Sequence, residues 1–170
     1  EPNDDARGAQ RVSVPSIVNG RIGRPGDRDV FLIEGRAGDR IIAEVNARRL
    51  GSPLDAMLRF RDQDGRELAA NDDAVDKGAG LTTHHADSRL AATLPASGTY
   101  ALHLTDAQNH GGEAHAYRLT LDVPHPSFDL RVTPSSINAR PGGTVLFTVH
   151  ALRRDGFSGD IALELPDAPQ

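Results

Sequence analysis

The chain has no cysteine and no tryptophan. The first absence removes disulfides, thiolate metal sites and a cysteine nucleophile, so any chemistry must come from oxygen and imidazole; it does not by itself fix a compartment. The second, with aromatic residues at only 4% of the chain, leaves little from which to build the stacking platforms that carbohydrate recognition uses. Helical periodicity of useful length is missing, and no apolar run approaches the roughly 18 residues of a membrane helix. Basic residues are scattered and almost all arginine, the net charge is -5, and no basic stripe is interleaved with aromatics, which argues against a nucleic-acid partner. Neither a Gly-x-Ser-x-Gly elbow nor a His-Glu-x-x-His helix occurs. Aspartate and glutamate are abundant enough that a carboxylate pair means nothing without a cleft. The expectation is a segment without catalysis of its own. It opens on Glu1 with neither methionine nor signal peptide, and reads as an excised piece of something longer.

What is present is a succession of short alternating runs. Val12, Val14, Ile17 and Ile22, broken by Pro15 and Gly20, suggest one or two short strands before the turn Arg24-Pro25-Gly26. Asp27, Asp29 and Phe31 then share one face of a strand and Val30 and Leu32 the other; both faces become apolar, as in a central strand. Ile41, Ala43 and Val45 continue the pattern, followed by Leu54, Ala56, Leu58 and Phe60. An Asp64-Gly65 pair then favours a tight hairpin turn before the return run Glu67-Leu68-Ala69-Ala70. Leu90, Tyr100, Leu102, Leu104, Tyr117, Leu119 and Leu121 complete the inward set. Many short strands with turn signals between them predict an all-β, antiparallel β-sandwich. After Pro124-His125-Pro126 a new set begins with Phe128, Leu130 and Val132, then Val145, Phe147, Val149 and Ala151, then Ile161, Leu163 and Leu165. The domains expected are therefore 1–123 and the start of a truncated second β-sandwich over 124–170.

Two polar clusters invite a chemical reading. Asp27 and Asp29 stand at the entrance of the central strand, where a carboxylate beside a core is costly unless an arginine or a metal ion answers it. The bland alternative is that they cap a turn or pair with Arg24 or Arg28. The second cluster, Asp72, Asp73, His84, His85 and Asp87, lies in a long stretch poor in apolar residues and matches no metalloprotease spacing. A polar surface loop is the expectation there, with a second cation site on Asp72, Asp73 and Asp87 as the alternative.

The order Glu1-Pro2-Asn3-Asp4, Gly26-Asp27-Arg28-Asp29-Val30-Phe31, Asp62-Gln63-Asp64-Gly65-Arg66-Glu67-Leu68, Gly98-Thr99-Tyr100 and Tyr117-Arg118-Leu119 resembles the bacterial pre-peptidase C-terminal domain family. The collagen-binding domains of clostridial collagenases are similar to it. The resemblance covers residues 1 to about 123 and implies a jelly-roll β-sandwich appended to secreted or surface-displayed bacterial proteins, noncatalytic, and serving domain positioning or export. It also implies calcium between the acidic leader and the strand entrance, which here points to Glu1, Asn3, Asp4, Asp27 and Asp29. Such a mixture of carboxylate and amide oxygens suits calcium, whereas zinc would want histidine. Relatives can draw a further carboxylate from just upstream of Glu1, and their collagen surface is tyrosine-rich. Tyr100 and Tyr117 are the only tyrosines here and both fall on inward positions. The partners implied are neighbouring domains of a longer parent, with a collagen-like protein or a polysaccharide as the alternative ligand. Residues 128 to 165, through Pro141-Gly142-Gly143-Thr144 and Asp155-Gly156-Phe157-Ser158-Gly159-Asp160-Ile161, resemble the start of a bacterial immunoglobulin-like domain.

Overall fold

The structure, a computed structural model, describes Asn3 and residues 8–75, 80–81 and 84–164. The chain divides into two compact units, Glu1–Pro124 and His125–Gln170. The first unit is all β apart from one short 3-10 turn, Arg48–Leu50. Its strands are β1 (Gln10–Val12), β2 (Ser16–Arg21), β3 (Arg28–Gly35), β4 (Arg40–Asn46), β5 (Ala56–Arg61), β6 (Glu67–Asn71), β7 (Arg89–Thr93), β8 (Gly98–Asp106) and β9 (Ala116–Asp122).

These strands form two sheets, in the orders β1-β3-β8-β5-β6 and β2-β9-β4-β7. With β1 set aside, the remaining strands follow jelly-roll order, in which consecutive strands alternate between the two layers except for the hairpin β5–β6 within one of them. Alternation along each strand decides what lies between the layers. Phe31 and Ile33 of β3, Leu58 and Phe60 of β5, and Tyr100, Leu102 and Leu104 of β8 face Ile41, Ala43, Val45, Leu90, Tyr117, Leu119 and Leu121 of the other sheet, and all are buried. Phe60 and Tyr100 stack with centroids 5.6 Å apart. Each large apolar side chain buried here stabilises the fold by about 1.5–3 kcal/mol before entropy is counted.

The first unit is the antiparallel β-sandwich expected, with one exception. The edge strand β1 is not antiparallel to its neighbour, because it pairs with β3 in parallel, Gln10 opposite Phe31. The reason is topological: β2 lies in the other sheet, so the chain crosses over and returns to run beside β1 in the same direction. Nor is the Asp64-Gly65 turn a tight two-residue hairpin. The loop runs from Asp62 to Arg66 because the Asp62 carboxylate accepts the amides of Asp64 and Arg66 at 3.0 and 2.9 Å, holding a wider turn with Gly65 at φ 79°.

In the second unit β10 (Ser127–Thr133) and β11 (Thr148–Arg154) pair antiparallel, Leu130 opposite Ala151. Val145 and Phe147 precede β11, and residues 161–164 form no strand, so the third run expected from Ile161 is not one over its described part; Leu165 lies outside the described residues. Alternation marks a face but supplies no partner for it. Phe128, Leu130 and Val132 accordingly remain 39%, 42% and 45% exposed.

One close approach makes the packing testable. Gly20 of β2 lies opposite Tyr117 of β9, and the tyrosine ring crosses the space that a Cβ at position 20 would need. Gly20→Ala is therefore expected to cost about 1–3 kcal/mol as overpacking. Gly98→Ala, where the nearest atom is the flexible Gln63 side chain at 3.5 Å, should cost far less. Urea unfolding of both variants decides; equal destabilisation would contradict this packing.

Candidate functional site

The entrance of β3 brings the leader and the acidic strand together. The backbone carbonyl of Asn3 accepts the Val30 amide at 3.0 Å, on the residue after Asp29. Asn3 is only 8% exposed, and its side-chain Oδ1 is shielded from water with no hydrogen-bond partner. A buried amide oxygen left this way costs about 1–3 kcal/mol, so its position calls for a donor or a cation. Asp29, 1% exposed, points into the sandwich and accepts the Tyr117 hydroxyl from the opposite sheet. Asp27 is half-buried and holds the turn before β3, accepting the Gly23 amide at 2.6 Å and the Arg28 amide at 3.1 Å. Of the residues expected at a calcium site, Asn3, Asp27 and Asp29 thus fall at one strand entrance, while Glu1 and Asp4 lie outside the described residues. Among the described residues no group of three or more His, Asp or Glu side chains is placed to hold a metal ion. The fit to calcium rests on the Asn3 oxygen, placed at the strand entrance that carries Asp27 and Asp29.

The second acidic cluster resolves differently. Asp72 and Asp73 are exposed, but Asp87 is fully buried. Its Oδ1 accepts the Ala47 and Arg48 amides at 3.0 and 2.7 Å, and its Oδ2 accepts Arg49 Nε at 2.7 Å and the Arg49 amide at 3.2 Å. Four donors on two oxygens leave no room for a cation, so the stretch is not simply a surface loop: its end is a latch that closes over the 3-10 turn. Burial opposes the charge of Arg49, but Asp87 and Glu44 outweigh it and raise its pKa above the ordinary arginine value. Ser88, also buried, donates to the Ala56 carbonyl, fastening the same latch to β5.

Asp106, at the end of β8, was not singled out by sequence. Its carboxylate accepts the amides of Asp55 at 3.0 Å and of Gln108 and His110 at 2.9 Å each, tying the loop after β8 to the start of β5. Burial works against its ionisation, but the amides of Asp55, His110 and Gln108 prevail and hold the carboxyl below its usual range. A strand ending in Asp followed by Ala-Gln-Asn-His is the Asx-turn signal that could have found it. Tyr117 was read as core, and its hydroxyl as the partner of Asp29 was missed. A glycine within a strand, at position 20, was the only hint.

Comparison with known proteins adds the following. No protein-family model matches the chain. A probable subtilase-type serine protease of Deinococcus radiodurans is 39% identical over 108 residues, which are 62% of this chain and 14% of that protein. The chain therefore spans a small part of the length of the curated relative that it matches. Among solved structures, the pre-peptidase C-terminal domain of a collagenase from Bacillus anthracis superposes with a TM-score of 0.47 at 15% identity, covering 66% of this chain and 93% of that one. Over that share the chain is similar to a pre-peptidase C-terminal domain. A periplasmic inhibitor of g-type lysozyme from Aeromonas hydrophila gives 0.43 at 15% identity, over 66% and 96% of the two chains. No helix among the described residues is long and apolar enough to cross a membrane.

Two outcomes follow from the carboxylates. Asp87→Ala strands three backbone amides and an arginine, and should cost about 3–5 kcal/mol in urea unfolding, with no rescue by added cations. Asp106 has a depressed folded-state pKa, so its contribution is full above the unfolded value, near 3.8, and is lost as pH falls through the lower folded value. Asp106→Asn should therefore lower the melting temperature at neutral pH and flatten its fall below about pH 4. Parallel pH profiles for variant and wild type would remove that role.

Proposed function

We propose that this segment is a noncatalytic accessory module of a longer, exported bacterial protein, held beside its neighbouring domains and fastened at its leader by calcium. The subtilase-type relative, of which the chain matches a small part, supports a place beside a larger enzymatic parent. The jelly-roll order and the motifs that resemble pre-peptidase C-terminal domains support the accessory role. Secretion or display at the cell surface accords with that kind of parent, and the absence of cysteine is compatible with it.

The observation that carries the calcium reading is the Asn3 Oδ1, buried and unpartnered at the entrance of β3. Asn3, Asp27 and Asp29 would hold the ion, with Glu1 and Asp4 of the leader as further oxygen donors. A bound divalent cation would neutralise carboxylates crowded beside the core and tie the leader to β3, setting the direction from which an upstream domain enters. Magnesium should substitute poorly, since it demands tighter octahedral geometry.

The test is calorimetry of a chain extended several residues upstream. A ligand bound only to the folded state adds about 2.7 kcal/mol at one hundred times its dissociation constant, so saturating calcium should raise the melting temperature and chelator should reverse it. Asn3→Ala separates this from ordinary packing: it deletes an unsatisfied acceptor, so stability in chelator should hold or rise while the calcium response shrinks. Asp29→Asn should also shrink the response, and Asp62→Asn in the β5–β6 loop should leave it intact. Identical melting curves in calcium and chelator would sink the proposal.

A further inference from the structure

The outer face of the five-stranded sheet carries a basic cluster that the calcium reading does not use. Because Phe31, Leu58, Phe60, Leu102 and Leu104 point inward, their strand neighbours Arg28, Arg59, Arg61 and His103 point outward. Cross-strand register brings them together: Arg59 lies opposite His103, Arg61 opposite Ala101 on the same central strand β8, and Arg28 opposite Thr105. Neighbouring strands are about 4.8 Å apart and alternate residues about 6.8 Å apart along a strand, so the basic groups occupy one patch. Ala101 and Thr105 share this face with Leu32, Met57 and a fully buried Val30, which lies opposite His103.

Among the described residues the counter-charge is thin. Glu67 is shared between Arg59 at 3.0 Å and Arg61 at 3.7 Å, so one carboxylate answers two guanidinium groups. Such exposed pairs contribute only about 0–1 kcal/mol and exchange readily for a better anion. The Nε of Arg61 is shielded from water and has no hydrogen-bond partner. His103 reports the same surplus: burial first, then the charges of Arg61 and Arg28, hold its pKa below the ordinary histidine value.

We infer that this face, along β8 between β3 and β5, binds an acidic polysaccharide through carboxylate or sulfate groups seated on Arg59, Arg61 and Arg28. The planar arginine fork can donate to two oxygens of a carboxylate or of a tetrahedral sulfate at once. Three features select this occupant. Both edges of β8 are taken by β3 and β5, so a peptide cannot add to it as a strand. No aromatic side chain faces outward from these strands, since Phe31, Phe60 and Tyr100 are all buried, so nucleic-acid bases find no stacking platform. For the same reason a neutral sugar has no ring to stack on, and charge must carry recognition.

The inference does not rest on calcium, so the experiment is run in chelator. Isothermal titration at low ionic strength would use polygalacturonate and heparin as probes, with dextran, poly-L-glutamate and single-stranded DNA beside them. The expected result is binding of an acidic polysaccharide that weakens with salt, none to dextran, and weaker binding of the other polyanions. Arg59→Gln with Arg61→Gln should weaken binding by about tenfold or more, and Arg28→Gln by less, with melting temperatures unchanged. Arg153→Gln in the second unit should bind as wild type. Failure of both acidic polysaccharides to bind, unaltered affinity in the arginine variants, or equal affinity for poly-L-glutamate or DNA would each overturn the inference.

Discussion

A carboxylate buried between two sheets needs a donor, and the bond from the Tyr117 hydroxyl to Asp29 meets that need across the sandwich. Left unpartnered, Asp29 would cost several kcal/mol at the edge of the core. Meeting it constrains the neighbourhood. Tyr117 must lie over β2, which leaves room for no side chain at Gly20, and β3 must enter at the height that puts Asp29 opposite the hydroxyl. The amide of the next residue, Val30, is then the one that receives Asn3. The close approach at Gly20 and the place where Asn3 meets β3 are thus tied to one polar contact in an apolar interior.

The same solution recurs at the ends of the strands. Asp87 gathers amides from the 3-10 turn, Asp106 gathers those of the loop after β8, and Asp62 shapes the β5–β6 loop. Without cysteine, the loops of this unit cannot be stapled covalently. Carboxylates accepting backbone amides serve instead, and that of Asp106 adds a dependence on acid pH that a disulfide would not. Many of the acidic residues are therefore structural, which is why acidic content alone pointed to no catalytic pair.

Two regions are left over for interaction, and they differ in sign. The entrance of β3 is acidic and holds an unsatisfied amide oxygen, a setting for a hard cation. The outer face of the five-stranded sheet carries Arg28, Arg59 and Arg61, a setting for extended anions. A module of this kind could be tethered at one end and attached along one face. The exposed phenylalanines Phe128 and Phe147 belong to the second unit, where Phe128 lies against Phe157 at 5.1 Å.

The inward residues of the first unit were legible because strand period and burial are local matters: Phe31, Leu58, Leu102 and Leu119 alternate with polar neighbours, and an apolar face must find a core. The leader and the strand entrance were legible as a pair only through motif order, not through contact. In the second unit the alternation from Ile161 misled, since alternation states a preference that pairing must satisfy. The sequence by itself determined the all-β class and the inward set. Only the tertiary structure decided that Asp87 is a latch rather than a surface ligand, that β1 runs parallel to β3, and that Asp29 answers to Tyr117. Each of these joins residues distant along the chain, and a carboxylate has no periodicity to say which distant donor will meet it.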